Sequence, residues 1–377
     1  MTRIMTVFGT RPEAIKLGPI IKALDAAPNV ELTVCTTGQH REMLEQVLQL
    51  FEIKPDMDLA VMTPGQSLTD ITGRVLDRLS PLLAEKPMDW LLVQGDTTTA
   101  FAASLAAFYA KIPVAHVEAG LRSGDLYQPF PEEANRKMVS AIAALHLAPT
   151  PQSRDNLLRE GIDPSLIKVT GNSVIDALLY FRDQLETDEA LSKSFGHQFD
   201  FLDHKRRLLL VTGHRRENFD GGIDRICRAL LEIAARGDVQ IIYPVHPNPH
   251  VRGPVGEMLS DQDAIHLLDP LDYLPFVYLM NRAELILTDS GGIQEEAPAL
   301  GKPVLVTRET TERPEGVAAG TAKLVGTDTA LIVAELERLL DDHDAYEAMS
   351  LAHNPYGDGE ASARVLRALR ETKKPET

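Results

Sequence analysis

The chain of 377 residues has little cysteine, little aromatic content and a deficit of positive charge. Each shortage removes a class of protein. Its two cysteines, Cys35 and Cys227, lie in opposite halves and form neither a CxxC pair nor a disulfide framework, so both are expected as buried, reduced thiols. Lys plus Arg number 38 against 55 Asp plus Glu, and the resulting charge of −17 repels nucleic acid and anionic membranes at long range. The longest weakly polar stretch, Ala100 to Ala110, is far shorter than the roughly 20 residues that span a bilayer, so no transmembrane segment is expected. Met1 to Phe8 has one basic residue and too short an apolar run for a secretory signal, which points to the cytoplasm. What remains is ordinary globular composition, 44% hydrophobic and 25% charged, in a chain long enough for two domains at about 150 residues each.

Short β-branched and aliphatic runs alternate with stretches of helical spacing along the whole chain, the pattern of βαβ units around parallel sheets. Strands are expected at Ile4 to Phe8, Glu31 to Thr36, Trp90 to Gln94, Pro113 to Val117, Leu145 to Ala148 and Ile167 to Thr170. A second series follows at Arg207 to Thr212, Val239 to Val245, Ile265 to Leu268, Leu285 to Thr288, Pro303 to Val306 and Ala322 to Val325. The expected fold is therefore α/β, with two doubly wound Rossmann-like domains facing across a cleft. The domains are 1–172 and 173–360, and a C-terminal helix, 361–377, crosses back to the first. The segment after Arg182 reads as polar and irregular.

Ligands of open parallel sheets bind beyond the carboxyl ends of the strands, so chemistry is sought there. After the first strand, Gly9-Thr10-Arg11-Pro12-Glu13 places Arg11 at a helix start with Lys16 about a turn on, either an anion site or an ordinary βα turn. It is not a GxGxxG dinucleotide fingerprint. VQGDTTT places Asp96 after another strand, as a helix cap or as a site carboxylate, and HVEAG places Glu118 at the same level of what should be the adjacent strand. Two carboxylates in one site are suited to proton transfer. In PEEANR, Glu132 and Arg136 are four apart on one helical face, which also fits a simple surface ion pair.

In the second half, TGHRREN puts His214 and Arg215 directly after a strand, where His214 either steadies a leaving phosphate, shuttles a proton or sits in a capping loop. His246 and His250 in YPVHPNPH lack any metal-site spacing, so no metal is expected. LTDSGGIQEEAP offers a turn at Ser290, Gly291 and Gly292 whose backbone N–H groups suit a diphosphate. Glu295 and Glu296 follow within reach of ribose hydroxyls, and Arg313 and Glu315 lie on a later loop.

Ten blocks, FGTRPEAIK, QHREML, GDTTT, HVEAGLR, PEEANR, TGHRREN, YPVHPNP, LTDSGGIQEEAP, TTERPEG and NPYGDG, resemble those of the non-hydrolysing UDP-N-acetylglucosamine 2-epimerases, in the same order from about Val7 to Gly359. The resemblance implies the two-Rossmann fold of glycosyltransferase B type and interconversion of UDP-GlcNAc and UDP-ManNAc through a 2-acetamidoglucal. No nicotinamide cofactor or metal takes part, and a homodimer would supply a surface polysaccharide pathway. It also implies roles. Asp96, Glu118, Glu132, Arg136 and His214 match the catalytic positions. Arg11, Lys16, Leu271, Phe276, Ser290, Gly291, Gly292, Glu296 and Arg313 match substrate-binding positions, with Asp96, Glu118 and His214 also touching substrate. Leu271 replaces a Gln of some members, so a contact there runs through backbone. Gln39, Arg215, Glu217 and His246 match an effector site for a second UDP-GlcNAc. At that site Glu42 replaces a Gln, and the turn at Pro64 lacks an Arg that some members carry. A hydrolysing epimerase and a glycosyltransferase of the same fold are the alternatives.

Overall fold

The computed structural model describes residues 1–38, 41–63 and 65–372, apart from the side chains of residues 41 and 42. Pro64 and the last five residues of the expected C-terminal helix lie outside the described residues. Thirteen strands form two all-parallel sheets among the described residues. The first sheet holds β1 (Thr2–Phe8), β2 (Val30–Thr36), β3 (Met57–Asp58), β4 (Trp90–Gln94), β5 (Val114–Val117), β6 (Leu145–Ala148) and β7 (Ile167–Val169), in the order β3-β2-β1-β4-β5-β6-β7. The second holds β8 (Arg207–Thr212), β9 (Val239–Pro244), β10 (Ile265–Leu268), β11 (Leu285–Thr288), β12 (Val304–Val306) and β13 (Ala322–Leu324), in the order β10-β9-β8-β11-β12-β13. Both are doubly wound α/β sheets, each with a reversal of strand order at its centre, between β1 and β4 and between β8 and β11.

Burial explains which runs became which strands. Every residue of the central β4, Trp-Leu-Leu-Val-Gln, is buried, as a parallel strand covered on both faces requires, whereas the edge strand β7 buries only Ile167. The two-residue β3 is too short to carry a periodic signal, and sequence reading passed over it. Cys35 and Cys227 are free and fully buried, and burial pushes each thiol up to about 12.

The chain divides into two compact units, Met1–Ala177 together with the segment from Gly357, and Leu178–Tyr356. The first division falls inside the helix Ser173–Thr187. The segment expected to be irregular is helical instead. Asp188 accepts hydrogen bonds from the backbone of Ala190 and Leu191 at 2.9 and 3.0 Å and restarts the chain as the helix Glu189–Gln198. Phe195 and Phe199 then lie 5.5 and 5.7 Å from the Tyr278 ring, an apolar stripe too thin to stand out among polar neighbours.

The last helix, Ala361–Glu371, belongs to the first unit. It packs on the helix Arg11–Asp25, and its first N–H groups, of Ala361 and Ser362, donate to the Asp176 carboxylate at 3.2 and 2.7 Å.

His116 on β5 and His146 on β6 are register partners, each 1% exposed. Burial holds both neutral, with pKa values lowered to about 4. A histidine depressed in the fold stabilises above its unfolded pKa of about 6.5 and loses that contribution as pH falls toward about 4. Unfolding free energy should therefore drop across that window. His146→Phe should remove about one proton from the slope in urea titrations at stepped pH, and an unchanged slope would refute the assignment.

Candidate active site

The strand-order reversal in the first sheet leaves two loops side by side, one after β1 and one after β4, and one carboxylate joins them. Glu13, 1% exposed, accepts at Oε2 from Gly9 N (3.0 Å), Thr10 N (2.8 Å) and Thr10 Oγ1 (2.8 Å), and at Oε1 from Thr97 Oγ1 (2.6 Å). Burial raises its pKa, and the bonds from Thr97, Gly9 and Thr10 work against that rise. The anchored turn opens the helix Arg11–Asp25 with Arg11 as its first residue, and Lys16 extends to Glu118, Nζ to Oε1 at 2.5 Å.

Glu118 follows β5 with a left-handed backbone, φ +63, which costs a residue with a side chain about 1–3 kcal/mol unless its surroundings enforce it. They do. Besides Lys16, Asn172 Nδ2 donates to Oε1 at 3.0 Å and the Gln94 side-chain amide donates to Oε2. His116 Nε2 lies 2.7 Å from Gly95 O and fixes the neighbouring turn. Gly120, at φ +91, lets the chain pass the helix Pro151–Arg159, since a Cβ there would come within 2.2 Å of Ser153 O.

Asp96 does not cap the following helix. Thr97 does, accepting from Ala100 N at 3.0 Å. The Asp96 carboxylate instead receives Arg136 Nε and Nη2 at 2.8 and 2.7 Å, and Asn135 Nδ2 donates to Asp96 O at 2.8 Å. Arg136 therefore does not pair with Glu132, as the four-residue spacing allowed. Its second partner is the fully buried Glu133, at 3.2 Å, which also accepts from Ser123 N and Gly124 N. Glu132 Oε2 is buried without a hydrogen-bond partner among the described residues.

The second sheet repeats the arrangement with the carboxylate on the opposite side of the reversal. Asp289, following β11, accepts at Oδ2 from His214 N and Arg215 N, both at 2.8 Å, and from Asn218 Nδ2 at 3.3 Å. His214 Nδ1 stands 3.5 Å from Asp289 Oδ1, and its ring stacks on His246 at 5.5 Å. Burial lowers the His214 pKa, Asp289 raises it, and Arg215 and His246 lower it further. The next residues, Ser290, Gly291 and Gly292, turn into the short helix Gly291–Glu296, where a Cβ on Gly291 would lie 4.0 Å from Arg313 Cζ. Arg313 binds the buried Glu295, and Glu296 accepts from Tyr273 Oη at 2.6 Å. Leu271 and Phe276, both half-buried, lie just before and within the helix Tyr273–Arg282.

The first unit thus holds Arg11, Lys16, Asp96, Glu118, Glu132 and Arg136, and the second holds His214, Leu271, Phe276, Ser290, Gly291, Gly292, Glu296 and Arg313. Of the effector residues, Gln39 lies outside the described residues, Glu217 is paired with the buried Arg308 at 2.6 Å, and Arg215 and His246 flank His214. Sequence reading overlooked Glu13, Gln94, Glu133, Asn172 and Arg308, and treated Asp289 as part of a turn. The Thr-x-x-Glu spacing of Thr10 and Glu13 is a capping-box signal that marks Glu13.

Two doubly wound parallel sheets with polar residues at both strand-order reversals define an α/β protein of the glycosyltransferase B class. The profile of the family described as UDP-N-acetylglucosamine 2-epimerase matches residues 22–370. The chain is 59% identical over 369 residues to UDP-N-acetylglucosamine 2-epimerase of Salmonella typhimurium, covering 98% of each chain. It is 58% identical over 372 residues to that of Escherichia coli, covering 98% of this chain and 99% of the other. A crystal structure of UDP-GlcNAc 2-epimerase from Neisseria meningitidis bound to UDP-GlcNAc superposes with a TM-score of 0.89 at 50% identity, over 98% of this chain and 100% of that one. The chain belongs to the UDP-N-acetylglucosamine 2-epimerase family.

Glu13→Ala should strand two backbone N–H groups and the hydroxyls of Thr10 and Thr97. A loss of about 3 kcal/mol or more is expected in denaturant unfolding, against about 1–2 kcal/mol for Thr97→Ala. Equal losses would contradict the central position given to Glu13.

Proposed function

We propose that the protein reversibly epimerises UDP-GlcNAc and UDP-ManNAc at C2 without net hydrolysis. The C2 proton is not adjacent to a free carbonyl, so simple abstraction and return is prohibitive. In the proposed course a carboxylate takes the C2 proton, the C2–H electron pair forms the C1=C2 bond, and the C1–O pair departs with UDP, leaving 2-acetamidoglucal. Return reverses these bonds. The UDP oxygen re-forms its bond to C1, and a proton is delivered to C2 from the opposite face.

The observation that carries this reading is the pair of carboxylates at the ends of adjacent strands β4 and β5, each held by its own cation, Asp96 by Arg136 and Glu118 by Lys16. Hydrogen-bonded and fixed, such groups can exchange protons without reorganising during the reaction. Asp96, Glu118 and Glu132 are assigned the acid and base steps, with Arg136 positioning Asp96. Arg11, Lys16, His214, Ser290, Gly291, Gly292 and Arg313 are assigned to the diphosphate, Glu296 to the ribose, and Leu271 and Phe276 to the base. Arg215, Glu217 and His246, with Gln39, are assigned to a second nucleotide-sugar site. The same reading makes the enzyme a cytoplasmic homodimer that supplies ManNAc units for surface polysaccharide.

Purified protein incubated with UDP-GlcNAc in deuterated water should yield UDP-ManNAc carrying deuterium at C2, seen by proton NMR. Free ManNAc would identify a hydrolysing enzyme, and transfer seen only with an added acceptor a glycosyltransferase. Asp96→Asn should cut turnover by about a hundredfold or more and leave UDP affinity nearly unchanged. Activity within about tenfold of the parent would remove Asp96 from the acid/base set.

A further inference from the structure

Asp289 is fully buried, and its two oxygens have unlike surroundings. Oδ2 is fully engaged by the N–H groups of His214 and Arg215 and by Asn218. Oδ1 is buried and accepts no hydrogen bond among the described residues, and His214 Nδ1 stands 3.5 Å from it. A buried carboxylate oxygen without a donor is costly, so a proton on the imidazole nitrogen that faces it is strongly favoured. A ring protonated at Nδ1 turns a bare Nε2 outward, and a carboxylate beside it stabilises the imidazolium formed when Nε2 takes up a proton. The His214 ring cannot drift from this pose freely, because its backbone N–H is tied to the same carboxylate and its face rests on His246.

We propose that Asp289 is a positioning residue for His214, fixing the Nδ1–H tautomer and holding Nε2 ready to carry a proton toward the departing diphosphate. The last part rests on the epimerase reading of the site. The tautomer does not. Within this unit the groups facing His214 are Asp289, Arg215 and His246, and Asp289 alone favours its charged form.

The test uses the full-length protein labelled with ¹⁵N-histidine, with the His214 signal assigned by its loss in His214→Asn. Native His214 should show a protonated Nδ1 and an unprotonated Nε2 above its titration. In Asp289→Asn the tautomers should mix, and the titration midpoint should fall by about one pH unit, a tenfold change in proton affinity. The pH–rate limb that follows His214 should move by the same amount, with UDP affinity within about twofold. An Nε2–H tautomer in the native protein, or a folded Asp289→Asn protein with an unmoved midpoint, would overturn the proposal. If the variant does not fold, the native tautomer decides. Absence of UDP-ManNAc formation by the native protein would count against the epimerase reading alone.

Discussion

One buried carboxylate across each strand-order reversal is the constraint on which the rest of the site depends. Where the connections after two central parallel strands lead to opposite sides of a sheet, a crevice opens at the strands' carboxyl ends, and the backbone N–H groups lining it need acceptors. Glu13 meets this need in the first sheet and Asp289 in the second, each binding two consecutive N–H groups of the loop after the first central strand. Their chain positions differ. Glu13 reaches from the β1 side to Thr97 beyond β4, and Asp289 reaches from the β11 side back to the loop after β8. A carboxylate that is nearly or fully buried requires several donors, so the loops it holds cannot move independently of it.

From that anchor the positions of the reactive groups follow. Fixing the start of the helix Arg11–Asp25 sets Lys16 one turn along it, where it meets Glu118. Glu118 is then held in a backbone conformation that few residues with side chains adopt, by Lys16, Asn172 and Gln94 together. The energetic cost lies in the backbone, and the surrounding hydrogen bonds offset it. Asp96 is fixed by different means, through an arginine that the fully buried Glu133 also holds. The two carboxylates at the ends of β4 and β5 are thus held by different cations, Asp96 by Arg136 and Glu118 by Lys16.

Strands covered on both faces announce themselves as largely apolar runs, and β4, β6, β8 and β11 were legible to the residue, as was the edge strand β10. The helix Glu189–Gln198 was not, because its contact with Tyr278 comes from Phe195 and the capping Phe199, two rings four apart set among polar residues. In the site, residues directly after strands stood out because the fold concentrates chemistry there. Glu13, Asn172 and Glu133 did not, for part of what each holds is distant in the chain: Thr97 for Glu13, Glu118 for Asn172 and Ser123 for Glu133. Glu13 and Thr97 illustrate this, since nothing near either shows that the two meet. The Glu132–Arg136 spacing pointed toward a local pair with Glu132, whereas Arg136 lies between Asp96, forty residues away, and the local but fully buried Glu133, a pairing that spacing alone does not select.

The acidity of the chain sets a final problem. A protein of charge −17 should repel a nucleoside diphosphate, and the cations assigned to that ligand are in large part already engaged, Lys16 with Glu118 and Arg313 with Glu295. Attraction within a Debye length of about 8 Å must then come in part from shared cations and from backbone N–H groups, beside Arg11. Sharing has a chemical consequence under the proposed reaction. A diphosphate that draws on Lys16 competes for the cation that Glu118 binds. Binding of the leaving group and the hold on the carboxylate are thus linked, under that assignment, through one ammonium group. Because UDP gains a negative charge as the C1–O bond breaks, its draw on Lys16 under the proposed reaction is greatest once that bond has broken.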